Sequence, residues 1–259
     1  YYLDKIAKAI KVAKKAKKIK GLKNSDLYDI TLMLGLQYQI IDKPKKALKY
    51  YKEANMLAVE MNYKSLIAQS MKQINVIYDL HLNQEKKAID PGRTAINIYI
   101  ELNDSLAIQD LAISLGRCYY LQDNSSYGKS GIADSVAKYY KIANTYDNWD
   151  SDKKLYDIDI EIIGYLTLYY LSNIQTVGVD ELLYWSELGF NLADKHGRVD
   201  DKAMFSMTVG VPLALIIPDR ALPFLLHSYD YLMNNEETSD ELGIEGNLVL
   251  RYYLYIVYS

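Results

Sequence analysis

Three histidines, His81, His196 and His227, are the side chains best suited to act as a base or a metal ligand near neutral pH, because imidazole changes charge there. They fall in three separate stretches and make no ligand spacing, so each reads first as a structural residue. His196 precedes Gly197, a position where a polar or cationic group favours a helix C-terminus. Asp157 and Glu161 are four residues apart. On a helix their carboxylates would face the same way and could hold a cation or work as an acid–base pair. No second cluster adjoins them in the sequence, which favours a solvated acidic surface. Cys118 sits between Arg117 and Tyr119. A nearby cation would lower its pKa and make the thiol reactive; the alternative is a buried packing cysteine. As the only cysteine, it excludes an internal disulfide framework and a thiolate metal cage. HExxH, GxSxG, a Walker loop and GxGxxG are all missing from the sequence. The expectation is a protein that is not an enzyme and uses no cofactor or metal.

Charge is distributed unevenly. Residues 1–23 hold nine lysines against one aspartate, leaving −11 for the remainder of a chain whose net charge is −3. Lys5, Lys8, Lys11, Lys15 and Lys18 recur at spacings of three and four, on a helical face opposite Ile6, Ala9, Ile10 and Ala13. A solvated outer face accounts for them. Nucleic-acid or anionic-surface binding is the alternative, but the segment has no arginine to read bases and the rest of the chain is acidic, so no nucleic acid is expected as a partner.

The elements that must carry these residues are helical. With 50% hydrophobic and 24% charged residues the chain can bury a core. Its 5 Pro and 13 Gly form no linker-like stretch, which predicts one continuous architecture. No apolar run of about 18 residues occurs, and residues 1–21 are studded with lysine and lack an apolar signal-peptide core.

Leu34-Gly35, Tyr38, Ala47, Tyr51 and Ala54 set a small-large-small rhythm over two helical patterns. The rhythm returns at Ile74-Asn75 with Tyr78, Ala88 and Ala95, and at Leu115-Gly116 with Tyr119, Val136, Tyr140 and Ala143. Weaker copies follow at Leu166-Thr167, Val209-Gly210 and Val249-Leu250. The leading positions are separated by 40, 41, 51, 43 and 40 residues, as stacked helical hairpins require. Two helices of a hairpin approach closely only where Gly or Ala removes bulk and a neighbouring Tyr fills the space beside it. Gly35, Ala47 and Ala54 are the expected close-approach points.

On Leu34, Gly35, Tyr38, Ala47, Tyr51 and Ala54 the chain resembles the tetratricopeptide (TPR) family, particularly bacterial TPR regions with long repeats. Thr31 replaces that family's early Trp, and its terminal Pro is missing near Val59. The resemblance implies an all-α, α-α superhelix, a TPR-like solenoid of about five to six helical hairpins, with HEAT-like repeats as the structural alternative. The hairpin units are expected near 25–62, 64–103, 105–146, 152–196 and 200–235, within a single solenoid over 1–259. Partial units at 1–21 and 241–259 predict a fragment of a longer chain. Asp42-Lys43-Pro44, Asp90-Pro91 and Pro218-Asp219 are expected where second helices start, and Gly21 and Gly197 where helices stop. The polar stretch 124–131 reads as an inserted loop. Asp157–Ile162 alternates like a strand and is assigned to helix from its context. Pro212 should kink its helix.

Tyrosine is over-represented, 26 against 3 Phe, with adjacent pairs at 50/51, 119/120, 139/140 and 169/170 among others. Neighbours on a helix point about 100° apart, so one ring of a pair can pack inward while the next serves a groove. The family resemblance implies a concave groove lined by first helices, carried here by Asp29, Met33 and Leu36, then Gln69, Gln73 and Val76, then Asp110, Ser114 and Arg117. That set departs from the Lys/Asn/Arg clamp with which some TPR proteins hold a peptide carboxylate. An extended or helical peptide, or a protein partner, fits it better. The expected function is a protein- or peptide-binding module, and the resemblance to bacterial TPR regions implies the sensory or regulatory input region of a larger bacterial signalling protein. The alternative is an enzyme on an α-α scaffold. A periplasmic position in a membrane-anchored protein is favoured over a cytoplasmic one by the same analogy, with any membrane contact made by segments outside this stretch.

Overall fold

In the computed structural model, residues 2–121, 130–145 and 156–234 are described, and among them there are helices and no strands. The helices are α1 (Tyr2–Ala16), α2 (Asn24–Ile40), α3 (Pro44–Glu60), α4 (Lys64–Val76), α5 (Glu85–Leu102), α6 (Ser105–Leu121) and α7 (Ser130–Thr145). They continue with α8 (Tyr156–Ser172), the single turn α9 (Ile174–Val177), α10 (Val179–Lys195), α11 (Val199–Ile216) and α12 (Pro218–Asn234). The fold is all-α, built of consecutive helix hairpins. The chain divides into two compact units, residues 1–149 and residues 150–259. In the first, each helix from α1 to α7 packs on the next. In the second, α8 packs on α10, α10 on α11 and α11 on α12.

Turn chemistry sets the helix ends. Pro44 opens α3 and Pro218 opens α12, where a missing N–H costs nothing. Gly21 (φ 82°) and Gly197 (φ 65°) take the left-handed conformation beyond α1 and α10. Asn62 and Asn103 do the same after α3 and α5, a tolerance that Asn shares with Gly. Asp90-Pro91 does not start a helix. α5 begins at Glu85 and runs through Pro91, so only the bond to one earlier carbonyl is forgone while Ala88, Ile89, Gly92 and Ala95 anchor the buried face. Asp42 is not a cap; it adopts φ 50° and Lys43 precedes the helix with no side-chain cap bond. α11 likewise passes through Pro212. The alternating stretch Asp157–Ile162 is helical, with Ile160, Ile162 and Ile163 buried. Residues 124–129 of the polar insertion and the repeat copy at Val249-Leu250 lie outside the described residues.

Hairpin crossings match a gap on one helix to bulk on the other. A Cβ placed on Gly35 of α2 would stand 2.5 Å from the ring of Tyr51 on α3. Gly116 of α6 is filled in the same way by Tyr140 of α7. In the hairpin between them the roles invert: Gly92 lies on α5, and a Cβ there would come within 2.8 Å of the Asn75 amide on α4. Gly210 of α11 receives Leu225 of α12 at 3.2 Å. Tyr51, Tyr140 and Leu225 are fully buried.

The tyrosine pairs divide their work as the 100° offset requires. Tyr51 fills the Gly35 notch while Tyr50 stacks on Tyr38 of the preceding helix, ring centroids 5.5 Å apart and 4° from parallel. Tyr140 fills the Gly116 notch while Tyr139 stacks on Tyr119 at 5.6 Å. In the second unit Trp185 of α10 takes the stacking position against Tyr170 of α8.

Candidate functional site

First helices of successive hairpins, α2, α4 and α6, are tied laterally by side-chain bonds. The Tyr28 hydroxyl donates to the Leu66 carbonyl at 3.0 Å and to Gln69 Oε1 at 3.1 Å. Gln39 Nε2 meets His81 Nε2 at 3.2 Å. Lys72 Nζ donates to Asp110 Oδ2 at 2.8 Å, and Ser114 Oγ donates to Asn75 Oδ1 at 3.0 Å and Asp79 Oδ2 at 2.8 Å. These contacts fix the register between neighbouring repeats, so positions about 40 residues apart lie side by side.

Along each helix the expected groove residues form one stripe at spacings of four and three. Asp29, Met33 and Leu36 are exposed on α2. On α4, Gln69 is exposed and Gln73 and Val76 are partly buried. On α6 the stripe turns inward: Asp110 is engaged by Lys72, Ser114 is drawn to Asn75 and Asp79, and Arg117 is only 7% exposed. Arg117 thus lies within the packing between repeats, where its charge faces the Asp79 carboxylate.

One more turn of each stripe carries residues that the sequence reading did not single out. Ile40 and Leu80 are 51% exposed and Leu121 is 36% exposed. Their common character is an aliphatic side chain in water at the C-terminal end of a first helix. Leu80 is presented by a π-helical turn, Ile77–His81, that extends α4; such turns are frequent at functional sites. The face therefore grades from Asp29, Gln69 and Asp110 at one end, through Met33 and Gln73, to Leu36, Val76, Ile40, Leu80 and Leu121 at the other.

Beneath it lies a buried polar knot. Asn75 is fully buried, and its Nδ2 donates to the Ala88 carbonyl at 3.0 Å while its Oδ1 accepts from Ser114. Burial pushes the Asp79 carboxyl above its usual range, against the lowering effects of Ser114, Cys118 and Arg117. Cys118 is fully buried, and burial, reinforced by the Asp79 charge, pushes its thiol up, which disfavours the reactive thiolate.

A second concavity, of about 450 Å³, opens between α3, α4 and α5 and is lined by Met56, Met71, Ile74, Tyr78 and Pro91, with Lys52 and Asp90 at its margins. The remaining candidates for chemistry stay apart. Asp157 is exposed and paired with Arg198 at 3.2 Å, and Glu161 is exposed one turn further along α8. His227 Nδ1 lies 3.2 Å from Ser206 Oγ and its ring meets the Phe190 edge; burial lowers its pKa. His196 follows α10 as its C-cap residue. Among the described residues no group of three His, Cys, Asp or Glu side chains could hold a metal ion, and no helix is long and apolar enough to cross a membrane.

No protein-family model matches the chain, and no curated protein matches its sequence. Solved structures do match. One is the Rap conjugation gene regulator of the plasmid pLS20 in complex with the Phr* peptide, at 15% identity and a TM-score of 0.44, covering 98% of this chain and 68% of that one. Another is BtubC (BKLC) from P. vanneervenii, at 13% identity and a TM-score of 0.50, covering 93% of this chain and 90% of that one. The likeness to BtubC is one of fold alone. The chain is an all-α protein of consecutive, packed helix hairpins.

Proposed function

We propose that the chain is a protein- or peptide-binding module, and that the face of α2, α4 and α6 receives the partner. The observation that carries this reading is the repeated exposed aliphatic, Ile40, Leu80 and Leu121, at matching positions of three first helices. Isolated surface aliphatics need no explanation, but a row of them, rimmed by polar residues, marks an interaction site. Gln69 and Gln73 supply amides further toward the N-terminal end of the same stripe, so an extended or helical peptide with two or three apolar side chains at regular spacing suits it. The module binds its partner without transforming it. Its place in a larger bacterial regulator, as a sensory or scaffold input, rests on the resemblance to TPR regions.

Selection of a random peptide library on the intact chain tests the reading. Selected peptides should carry spaced aliphatic residues and should lose at least about tenfold in affinity, roughly 1.4 kcal/mol, on Leu80→Asp or Ile40→Asp. Lys86→Glu, on the exposed side of α5, should leave them unaffected. Binders that ignore both aspartates would move the partner surface elsewhere.

A further inference from the structure

Lysines of α1 and of the turn that follows it, most of them exposed, gather round one concavity. Lys11, Lys14, Lys15, Lys17 and Lys18 line a cleft of about 500 Å³ whose other wall is Tyr50 of α3. We propose that this cleft is a binding site for a small anion carrying several phosphate groups.

Two of the five ammonium groups are positioned by an aromatic platform. Lys14 Nζ stands 5.4 Å from the centroid of Tyr38 and Lys17 Nζ 5.1 Å from that of Tyr50, and these two rings stack on each other. Lys46 of α3 adds a further cation 5.6 Å from the Tyr38 ring. Against them stands Glu53, which pairs with Lys17. The other four lining lysines therefore gather positive charge round one cleft of about 500 Å³, whose dimensions are comparable with the screening length of about 8 Å at physiological salt. A compact multivalent anion relieves that repulsion at several points at once.

The repeat itself does not demand this chemistry. The next groove along the same edge, between α3 and α5, has a single lysine, Lys52, balanced by Asp90, and is otherwise lined by uncharged groups such as Met56, Met71, Ile74 and Pro91. Helix packing is thus satisfied there with one lysine, and the cluster of five at the first cleft is additional to it. Lysine presents compact point charges rather than a planar fork, which suits the tetrahedral oxygens of linked phosphates. A concave cleft favours a free anion over a flat membrane surface.

The probe is inorganic tripolyphosphate, titrated calorimetrically into the intact chain at low and at physiological salt. Saturable one-to-one binding that weakens with added salt is expected. Lys11→Ala/Lys15→Ala/Lys18→Ala, all exposed positions, should weaken it at least about tenfold. Lys8→Ala/Lys20→Ala/Lys23→Ala removes the same charge from exposed positions outside the cleft and should change it less than about twofold. Equal losses in the two variants would reduce the effect to net charge and overturn the proposal. So would absence of binding to the soluble anion, even if vesicles containing phosphoinositide bind. Affinity that grows with the length of a single-stranded RNA, in place of saturation by tripolyphosphate, would also overturn it.

Discussion

The first two hairpins solve one packing problem in opposite ways. In α2/α3 the first helix provides the gap, Gly35, and the second provides the ring, Tyr51; in α4/α5 the first helix provides Asn75 and the second the gap, Gly92. What is maintained at each crossing is a glycine gap closed by neighbouring side chains, Tyr51 alone in the first hairpin and Asn75 together with Leu115 of α6 in the second. The inversion also has a consequence for the surface. A small amide at the crossing of α4 can hydrogen-bond the Ala88 carbonyl and reach Ser114 of the next repeat, which a glycine could not do. The second hairpin thereby gains a lateral polar link, and the Asp79-bearing π turn that presents Leu80 is part of it.

The largest expected effect is at the filled notch. Tyr51→Ala should cost about 3–5 kcal/mol, measured by denaturant unfolding, since it empties a fully buried site. Closing the gaps comes next: Gly35→Ala and Gly92→Ala should each cost about 1–3 kcal/mol through overpacking, although they lie on opposite partners of their hairpins. Gly164 sharpens the contrast, because nothing lies within 4 Å of a Cβ built there. Gly164→Ala should instead stabilise α8 by about 0.5–1 kcal/mol through helix propensity. Destabilisation at Gly164 as large as at Gly35 would break the volume argument.

The polar link distinguishes the second hairpin by its response to pH. Burial raises the Asp79 carboxyl in the folded chain above its unfolded value of about 3.9. Its protonated form is therefore favoured by folding, and the associated stability is fully present below that unfolded value and lost as pH rises through the folded one. Asp79→Asn keeps an acceptor for the Ser114 hydroxyl and removes this loss. Its melting temperature should exceed that of the parent at pH 7, and the difference should close as pH falls toward about 4. The smallest effect is expected at Lys64, whose ion pair with Glu101 is well exposed on both sides; Lys64→Ala should stay within about 0.5 kcal/mol.

These differences also explain what could be read from the sequence. Gly35 with Tyr51 and Gly116 with Tyr140 are legible because glycine and tyrosine are extremes of volume at helical spacing. Asn75 was placed at the crossing by the repeat rhythm, but its role as a polar link was not legible. Its bonding partners are 13 and 39 residues away, and a lone asparagine in a helix reads as surface. On the face proposed for the partner, the exposure of Met33 and Leu36 was legible from their register. Ile40, Leu80 and Leu121 were not, since an aliphatic at the end of an amphipathic helix has the same sequence signature as a core residue. Arg117 shows the converse, because a charged residue in the groove register is drawn inward once Asp79 is beside it. The lysine face of α1 was visible as a pattern, whereas the cleft it forms needs Tyr50 of α3 as its other wall.

The central claim is that partners bind the first-helix face and not the methionine-lined groove. Hydrogen exchange of the intact chain, with and without the strongest library-selected peptide, tests it most directly. Added protection is expected in the segments carrying Leu36–Ile40, Val76–Leu80 and Leu121. Protection confined to the segments of Met56, Met71 and Thr94 would contradict it and assign binding to the other edge of the hairpins.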